Sequence, residues 1–225
     1  MFVRAAAEAQ AATTTRLIAA ASELFAERGF HGTKVRDIAE RAGVNVAAGH
    51  YHYGSKKDLY LEVLREQFAR IRRQIEASGT EIEAGGLARL TKGALRRLLR
   101  VRLQIMLDTM VGQTSHTHAQ LMMREMADPS EALPVIVREF ITPLVEETRQ
   151  IVAHLFPELD RSQVERVTFS MAAQVHFYRT MRPVVLSLKG MRAYSPSFLD
   201  EVVDHVFEFS LGGMDRLTKK RRGRA

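Results

Sequence analysis

Apolar residues recur at spacings of three and four along nearly the whole chain, with no alternating run of strand type, and this pattern predicts an all-α protein. The first amphipathic stretch, 13–28, sets Leu17, Ala20, Ala21, Leu24 and Phe25 on one face, with threonines at its start as caps and Gly29 just past its end. A short segment over 35–42 turns Val35, Ile38, Ala39 and Ala42 inward and stops at Gly43. A third helix is predicted over 44–53, and Gly54-Ser55 opens a longer one over 56–77. Three short helices therefore precede a long one.

Gly79 to Gly86 marks a change of module. Beyond it the spacing predicts helices over 87–110, 117–127, 131–155, 161–188 and 197–217, separated by Gly112, Asp128-Pro129, Pro157 and Tyr194-Ser195-Pro196. Pro143 and Pro183 fall inside two of these patterns and predict a kink or a break at each. Gly212-Gly213 reads as a C-terminal stop. The expected organisation is a leader over 1–12, a small head over 13–77, a larger helical body over 87–217 and a tail over 218–225.

Composition narrows the function classes. A chain of 225 residues can bury a core of its own, and the absence of cysteine excludes a disulfide framework, a thiolate metal site and a catalytic thiol. A reducing compartment, the cytoplasm, fits that composition. The leader, alanines interrupted by Glu8 and Gln10, lacks the apolar core of a secretory signal, and no window approaches the roughly 18 consecutive apolar residues of a membrane span. The net charge of +7 is unevenly placed. Residues 1–79 carry +3, and the window 33–57 alone carries the same through Lys34, Arg36, Arg41, Lys56 and Lys57 against Asp37 and Glu40. Lys219, Lys220, Arg221, Arg222 and Arg224 supply five more at the tail, which leaves the body at −1. The charge suited to a polyanion sits in the head and the tail.

Two short helices around a turn at Ala42-Gly43-Val44 form a helix-turn-helix over about 34–53, whose second helix can lie in a DNA major groove. On that helix Ala47, His50 and Tyr51 share a face, Asn45 and Val46 stand at its N-terminal edge, Gly49 and Tyr53 turn inward, and His52 lies between the faces. Ala47 and Ala48 offer only apolar contact, as against thymine methyls, so the expected specificity comes largely from DNA shape. Three segments, ELFAERGFHGT (23–33), VRDIAERAGV (35–44) and YHYGSKKDLY (51–60), resemble the TetR family of bacterial transcriptional regulators. The resemblance implies that Thr33, Lys34 and Arg36 contact the DNA backbone or an adjacent base and that Lys56 binds a phosphate. It completes the expected DNA-binding set of Thr33, Lys34, Arg36, Asn45, Val46, Ala47, Ala48, His50, Tyr51, His52 and Lys56. Gly49 and His50 depart from the family, which has a bulky aliphatic residue and a tyrosine there. The glycine costs a helix about 1 kcal/mol relative to alanine.

For the body the resemblance implies dimerisation through 161–188 and 197–217, with Val167, Met171, Val175, Val202, Val206 and Phe207 as expected interface residues. It also implies a small-molecule effector pocket, for which Met106, Met110, Met122, Met123, Met126, Phe140, His176 and Tyr178 are the expected lining. The expected function is a homodimeric, sequence-specific repressor that leaves a palindromic operator when the effector displaces the fourth helix. An activator or a protein-controlled regulator of the same fold is the alternative, with a helical enzyme using the body's cavity or a nonspecific DNA-coating protein further off. His116 and His118 read as solvated loop residues rather than metal ligands, and Glu125, Asp128, Glu146 and Glu147 as solvated helix faces. Arg96, Arg97, Arg100 and Arg102 read as solvent-facing. No catalytic motif occurs, and neither cofactor nor metal is expected.

Overall fold

The computed structural model describes residues 2–45, 54–82, 85–112 and 116–222, and its regular elements are helical. Helix α1 spans Phe2–Gly32, α2 Val35–Ala42 and α3 Lys56–Ala77. A 3-10 turn at Gly86–Arg89 leads into α4, Lys92–Val111, and α5 spans His116–Ala127. The short α6, Leu133–Ile136, passes through a π turn at Val137–Ile141 into α7, Thr142–Leu155. Helices α8, Arg161–Thr180, α9, Arg182–Lys189, and α10, Pro196–Arg222, complete the chain.

Local chemistry accounts for most boundaries. At Gly29 the backbone reaches φ 71° and ψ 176°, which ends the regular part of α1 where the pattern places it. Helix α1 nevertheless starts at Phe2, so residues 2–12 extend the first helix. Thr91 caps α4 by accepting from the Ala94 amide at 3.2 Å, which moves the predicted start of that helix from 87 to 92. Asp160 and Gln163 form a reciprocal capping box at the head of α8. Both internal prolines act as expected. The wider π turn precedes Pro143, whose ring displaces the carbonyl four residues back, and Met181 separates α8 from α9 two residues before Pro183. The predicted stop at Gly212-Gly213 does not occur. Both lie on an exposed face of α10, which continues through the basic run to Arg222. Packing of the opposite face holds the helix through them.

The chain divides into two compact units, and the division differs from the glycine-rich break at 79–86. The first comprises 1–70 with 117–141, the second 71–116 with 142–225. In the first unit Phe25 is fully buried, with Phe30 and Tyr60 at ring separations of 6.2 and 4.8 Å. In the second, α4 contributes Leu95, Leu98, Leu99, Leu103 and Leu107 to a core shared with Ile151 and Val152 of α7. Val164, Met171 and Val175 of α8 and Leu199, Val202, Val203, Val206, Phe207, Leu211 and Met214 of α10 complete it, each set lying along one face of its helix.

Three polar expectations are corrected by burial. Arg102 is 8% exposed and directs its guanidinium inward. Its Nε donates to Glu147 at 2.8 Å and its terminal nitrogens to the Thr80 hydroxyl and carbonyl at 2.7 Å, which ties α3's exit to α4 and α7. Arg100 pairs with Asp204 at 2.7 Å. Glu125 is 1% exposed and accepts from the Tyr60 hydroxyl, the Ser130 amide and the Ser130 hydroxyl, at 2.9, 3.0 and 2.9 Å. His118 belongs to α5 and is 3% exposed, with the Phe68 ring edge-on at 5.0 Å.

Burial, helped by the positive charge of Arg70, lowers the His118 pKa from 6.5 to about 4. The unfolded chain therefore takes up this proton first as pH falls from 6.5 towards 4. Stability is expected to fall by about 3 kcal/mol across that window, with no loss above it. Urea melts of the wild type and of His118→Leu at several pH values check this, since the variant should lose much of the slope between pH 6.5 and 4.

Candidate functional site

The first three elements bring together the charged residues of the head. Helix α2 buries Ile38, Ala39 and Ala42, and Gly43, at φ 65°, closes it in a left-handed turn. The Val44 amide donates back to Ala39 at 3.0 Å, the six-to-one bond of a Schellman cap. A side chain at 43 would strain that φ, which is why glycine closes α2. Arg28 pairs with Asp37 at 3.0 Å and Arg41 with Glu23 at 2.9 Å, setting α2 against α1.

Lys34 and Arg36 are exposed at the start of α2. The first-turn amides of a helix lack intrahelical acceptors, and with two cations beside them they suit a phosphate. Thr33 differs from the expectation. It is 1% exposed, and its single hydroxyl proton points to the Leu24 and Gly29 carbonyls at 3.1 and 2.8 Å. Its side chain is spent on closing α1. Lys56, half-buried, donates to the Phe30 and Thr33 carbonyls at 3.0 and 3.3 Å and stands 4.2 Å over the Phe30 ring. Two of its three ammonium protons thus neutralise the C-terminal end of α1, leaving one for an outside acceptor. Asn45 is exposed, whereas Val46, Ala47, Ala48, His50, Tyr51 and His52, with Gly49, lie outside the described residues.

Sequence reasoning missed how α5 is fastened within the first unit. Besides the buried Tyr60–Glu125 bond, Arg124 donates to the Glu27 carbonyl at 2.7 Å and His31 meets the Pro129 carbonyl at 3.2 Å. Burial and the Glu125 charge push the Tyr60 phenol well above its ordinary range, so it remains a donor at any physiological pH. No local motif distinguishes these residues from surface ones, because their partners are distant in sequence.

The expected effector lining divides between the units. Met122 and Phe140 are buried in the first, where Phe140 stacks on Phe68 at 4.8 Å, Met123 is half-buried and Met126 is 53% exposed. Met106, Met110 and Tyr178 pack against the core of the second, and His176 is exposed. A cavity elsewhere takes none of them. It is a groove of about 570 Å3 in the second unit, with Ile75, Ile82, Leu87 and Leu144 beneath and Arg72, Glu76, Glu81, Glu146, Glu147, Gln150 and His154 around it. Its volume lies within the roughly 300–1,000 Å3 usual for small-molecule sites.

The expected interface residues are corrected as well. Met171, Val175, Val202, Val206 and Phe207 are 1–8% exposed inside the protomer's own core, and Val167 packs on it. The same two helices expose another apolar face through Phe169, Phe177 and Phe209, at 55%, 50% and 66%. The His205 ring stacks on Phe209 at 5.9 Å, and an open hollow of about 340 Å3 lies beside Ala173, Phe177, Tyr178 and His205. Among the described residues no three His, Asp or Glu side chains converge as a metal site, and no helix is long and apolar enough to cross a membrane.

The short helix α2 with its glycine turn and exposed cations, in a chain whose described regular elements are helical and which carries a groove of small-molecule size, fits a DNA-binding transcriptional regulator. Residues 17–63 match the family described as bacterial regulatory proteins, tetR family, and residues 95–214, more than half of the chain, match the C-terminal domain of the HTH-type transcriptional dual regulator CecR. The protein belongs to the TetR family, with a CecR-type C-terminal domain. It is 27% identical to CecR of Shigella flexneri over 80% of this chain and 81% of that protein. Its identity to RutR of Escherichia coli strain K12 is 24%, over 88% of each. A TetR-like regulator from Rhodococcus sp. RHA1 shares the fold at a TM-score of 0.63, with 19% identity over 90% of this chain and 96% of that one. The family and these relatives are regulators of transcription, not enzymes.

Proposed function

We propose that the protein acts in the cytoplasm as a homodimer on a palindromic operator, as a repressor released by a small molecule bound in the groove of the second unit. One observation carries this reading: α3 is engaged at both ends. Its first turns hold the head, through Lys56 on the α1 carbonyls and Tyr60 on Glu125, and its last turns line the groove through Arg72, Ile75 and Glu76. A continuous helix of 22 residues, about 33 Å long, links the two. A ligand that prefers one position of its last turns shifts the population of the first, and with it the separation of the two recognition helices. Those helices must meet successive major grooves about 34 Å apart, which a dimer provides. The exposed Phe169, Phe177 and Phe209 suit that dimer's bundle.

Lys34 and Arg36 are assigned to phosphates. Selection from a random duplex library should enrich a two-fold symmetric sequence. On that duplex Lys34→Ala and Arg36→Ala should each weaken binding about three- to tenfold and lower the salt slope by about one. No symmetric enrichment, or an unchanged salt slope in both variants, would refute the assignment. Native mass spectrometry of the purified dimer for a co-purified compound, lost in a groove-filling Leu144→Trp variant, tests the effector site.

A further inference from the structure

The basic run that ends α10 has a counterpart on α4, and both belong to the second unit. Arg100 of α4 donates to Asp204 of α10 at 2.7 Å. Burial raises the pKa of the Asp108 carboxyl, a Gln104 hydrogen bond opposes the rise and the charge of Asp200 adds to it. Passing from 100 to 108 on α4 is therefore passing from 204 back to 200 on α10, so the two helices run antiparallel. The first turns of α4 lie against the last turns of α10, where Leu87 and Leu95 share a core with Met214 and Leu217.

This pole of the unit is strongly basic. Residues 85–104 carry six arginines and lysines and no acid, and residues 209–222 carry five against Asp215 alone. Arg100 is held by Asp204 and Arg102 by Glu147. Arg89, Lys92, Arg96, Arg97, Arg216 and Lys219 are exposed, and among the described residues none of the six has an ion-pair partner. The placement opposes the fold. Lys92 and Arg96 stand one turn apart at the N-terminal end of α4, whose first turn holds no acid, so the like charges and the positive end of the helix both act against them. Acids there would serve solubility equally well and the helix better, whereas a bound polyanion relieves both repulsions.

The surroundings select among polyanions. A membrane surface takes an apolar wedge beside the charge. Here Met214 and Thr218 are buried and Leu217 packs on the core, so that Leu90, 40% exposed, is the one large apolar side chain left outside among the described residues of these two segments. A single strand takes aromatic rings to stack on, and residues 85–104 and 210–222 contain none. Guanidinium and ammonium groups with neither wedge nor ring suit the phosphates of a duplex.

We propose that this pole is a second, sequence-independent site for duplex DNA, which holds a further DNA segment besides the one bound by the head. It is separate from Lys34 and Arg36, and it stands whether or not the chain is a dimer.

The test uses the full chain carrying Lys34→Ala and Arg36→Ala, which removes phosphate contacts from the head, with a random-sequence duplex of about 30 base pairs followed by fluorescence anisotropy. Binding should persist at about 50 mM salt. Adding Lys92→Glu, Arg96→Glu and Arg97→Glu should weaken it at least tenfold and lower the salt slope by about three. Those glutamates fall in the first turns of a helix, where the macrodipole favours them, so the helical circular dichroism should be unchanged. With the head intact, protein held on one bead-bound duplex should capture a second, fluorescent duplex, and the three glutamates should abolish the capture. No binding before the glutamates are added, equal affinity and slope after, or capture that survives them would each overturn the proposal. Sedimentation with phosphatidylglycerol vesicles that the glutamates abolish, while duplex affinity is unmoved by them, would overturn it in favour of a membrane surface.

Discussion

Replacing Arg102 by leucine is expected to destabilise the protein by roughly 3 kcal/mol, although the new side chain is apolar and close in size to the buried stem it replaces. The guanidinium is 7% exposed and satisfies three acceptors at once, the Glu147 carboxylate and both oxygens of Thr80. Its removal strands a carboxylate that is itself only 25% exposed, together with a backbone carbonyl. Lysine should not rescue the loss, because one ammonium cannot reproduce a planar fork that bridges a carboxylate on α7 and the segment leaving α3. For a chain of this length the shift corresponds to about 6–12 °C in Tm. Scanning calorimetry of Arg102→Leu and Arg102→Lys checks it, and a fall of under about 2 °C in both would show that the pair contributes nothing net.

The second large effect is expected at Glu125. Glu125→Leu leaves the Tyr60 hydroxyl, the Ser130 amide and the Ser130 hydroxyl facing an apolar side chain, and each buried donor without a partner costs about 1–3 kcal/mol. A loss of roughly 3–4 kcal/mol is expected in urea unfolding. Tyr60→Phe alone should cost about 1–2 kcal/mol, since the carboxylate keeps two donors. The double variant should be markedly more stable than the sum of the two losses, with a coupling of about 1 kcal/mol or more, because the phenylalanine no longer carries the proton that leucine strands. Additive losses would mean that Tyr60 and Glu125 act independently. DNA affinity is expected to fall with Glu125→Leu even at temperatures where the chain is folded, since the contact fixes the first turns of α3 against α5.

These two residues also mark where sequence reasoning stopped. Arg102 and Glu125 both sit among charged neighbours at helical spacing, and in a linear pattern a buried arginine is indistinguishable from the solvated Arg96 or Arg97 beside it. Burial depends on what other elements place opposite, here Thr80 and Glu147 in one case and Tyr60 and Ser130 in the other. His118 follows the same logic, since only the arrival of Phe68 turns a polar helix residue into a core one.

The helical class, the turn at Gly43, the breaks at Gly29 and Pro183 and the span of α3 were all legible in the chain, because each follows from backbone sterics or apolar spacing within about ten residues. The family was legible for a related reason: a helix-turn-helix is held by short-range contacts, so its motif is contiguous. Tertiary structure alone decided which of two apolar faces each of α8 and α10 keeps for itself. Met171, Val175, Val206 and Phe207 went to the protomer's core, and Phe169, Phe177 and Phe209 were left outside. It also decided that Thr33 spends its hydroxyl inside the head while Lys34 beside it stays exposed, and that the groove of the second unit is lined by no methionine. A helix pattern states that a face is apolar, but the partner that covers it is set by elements tens to a hundred residues away.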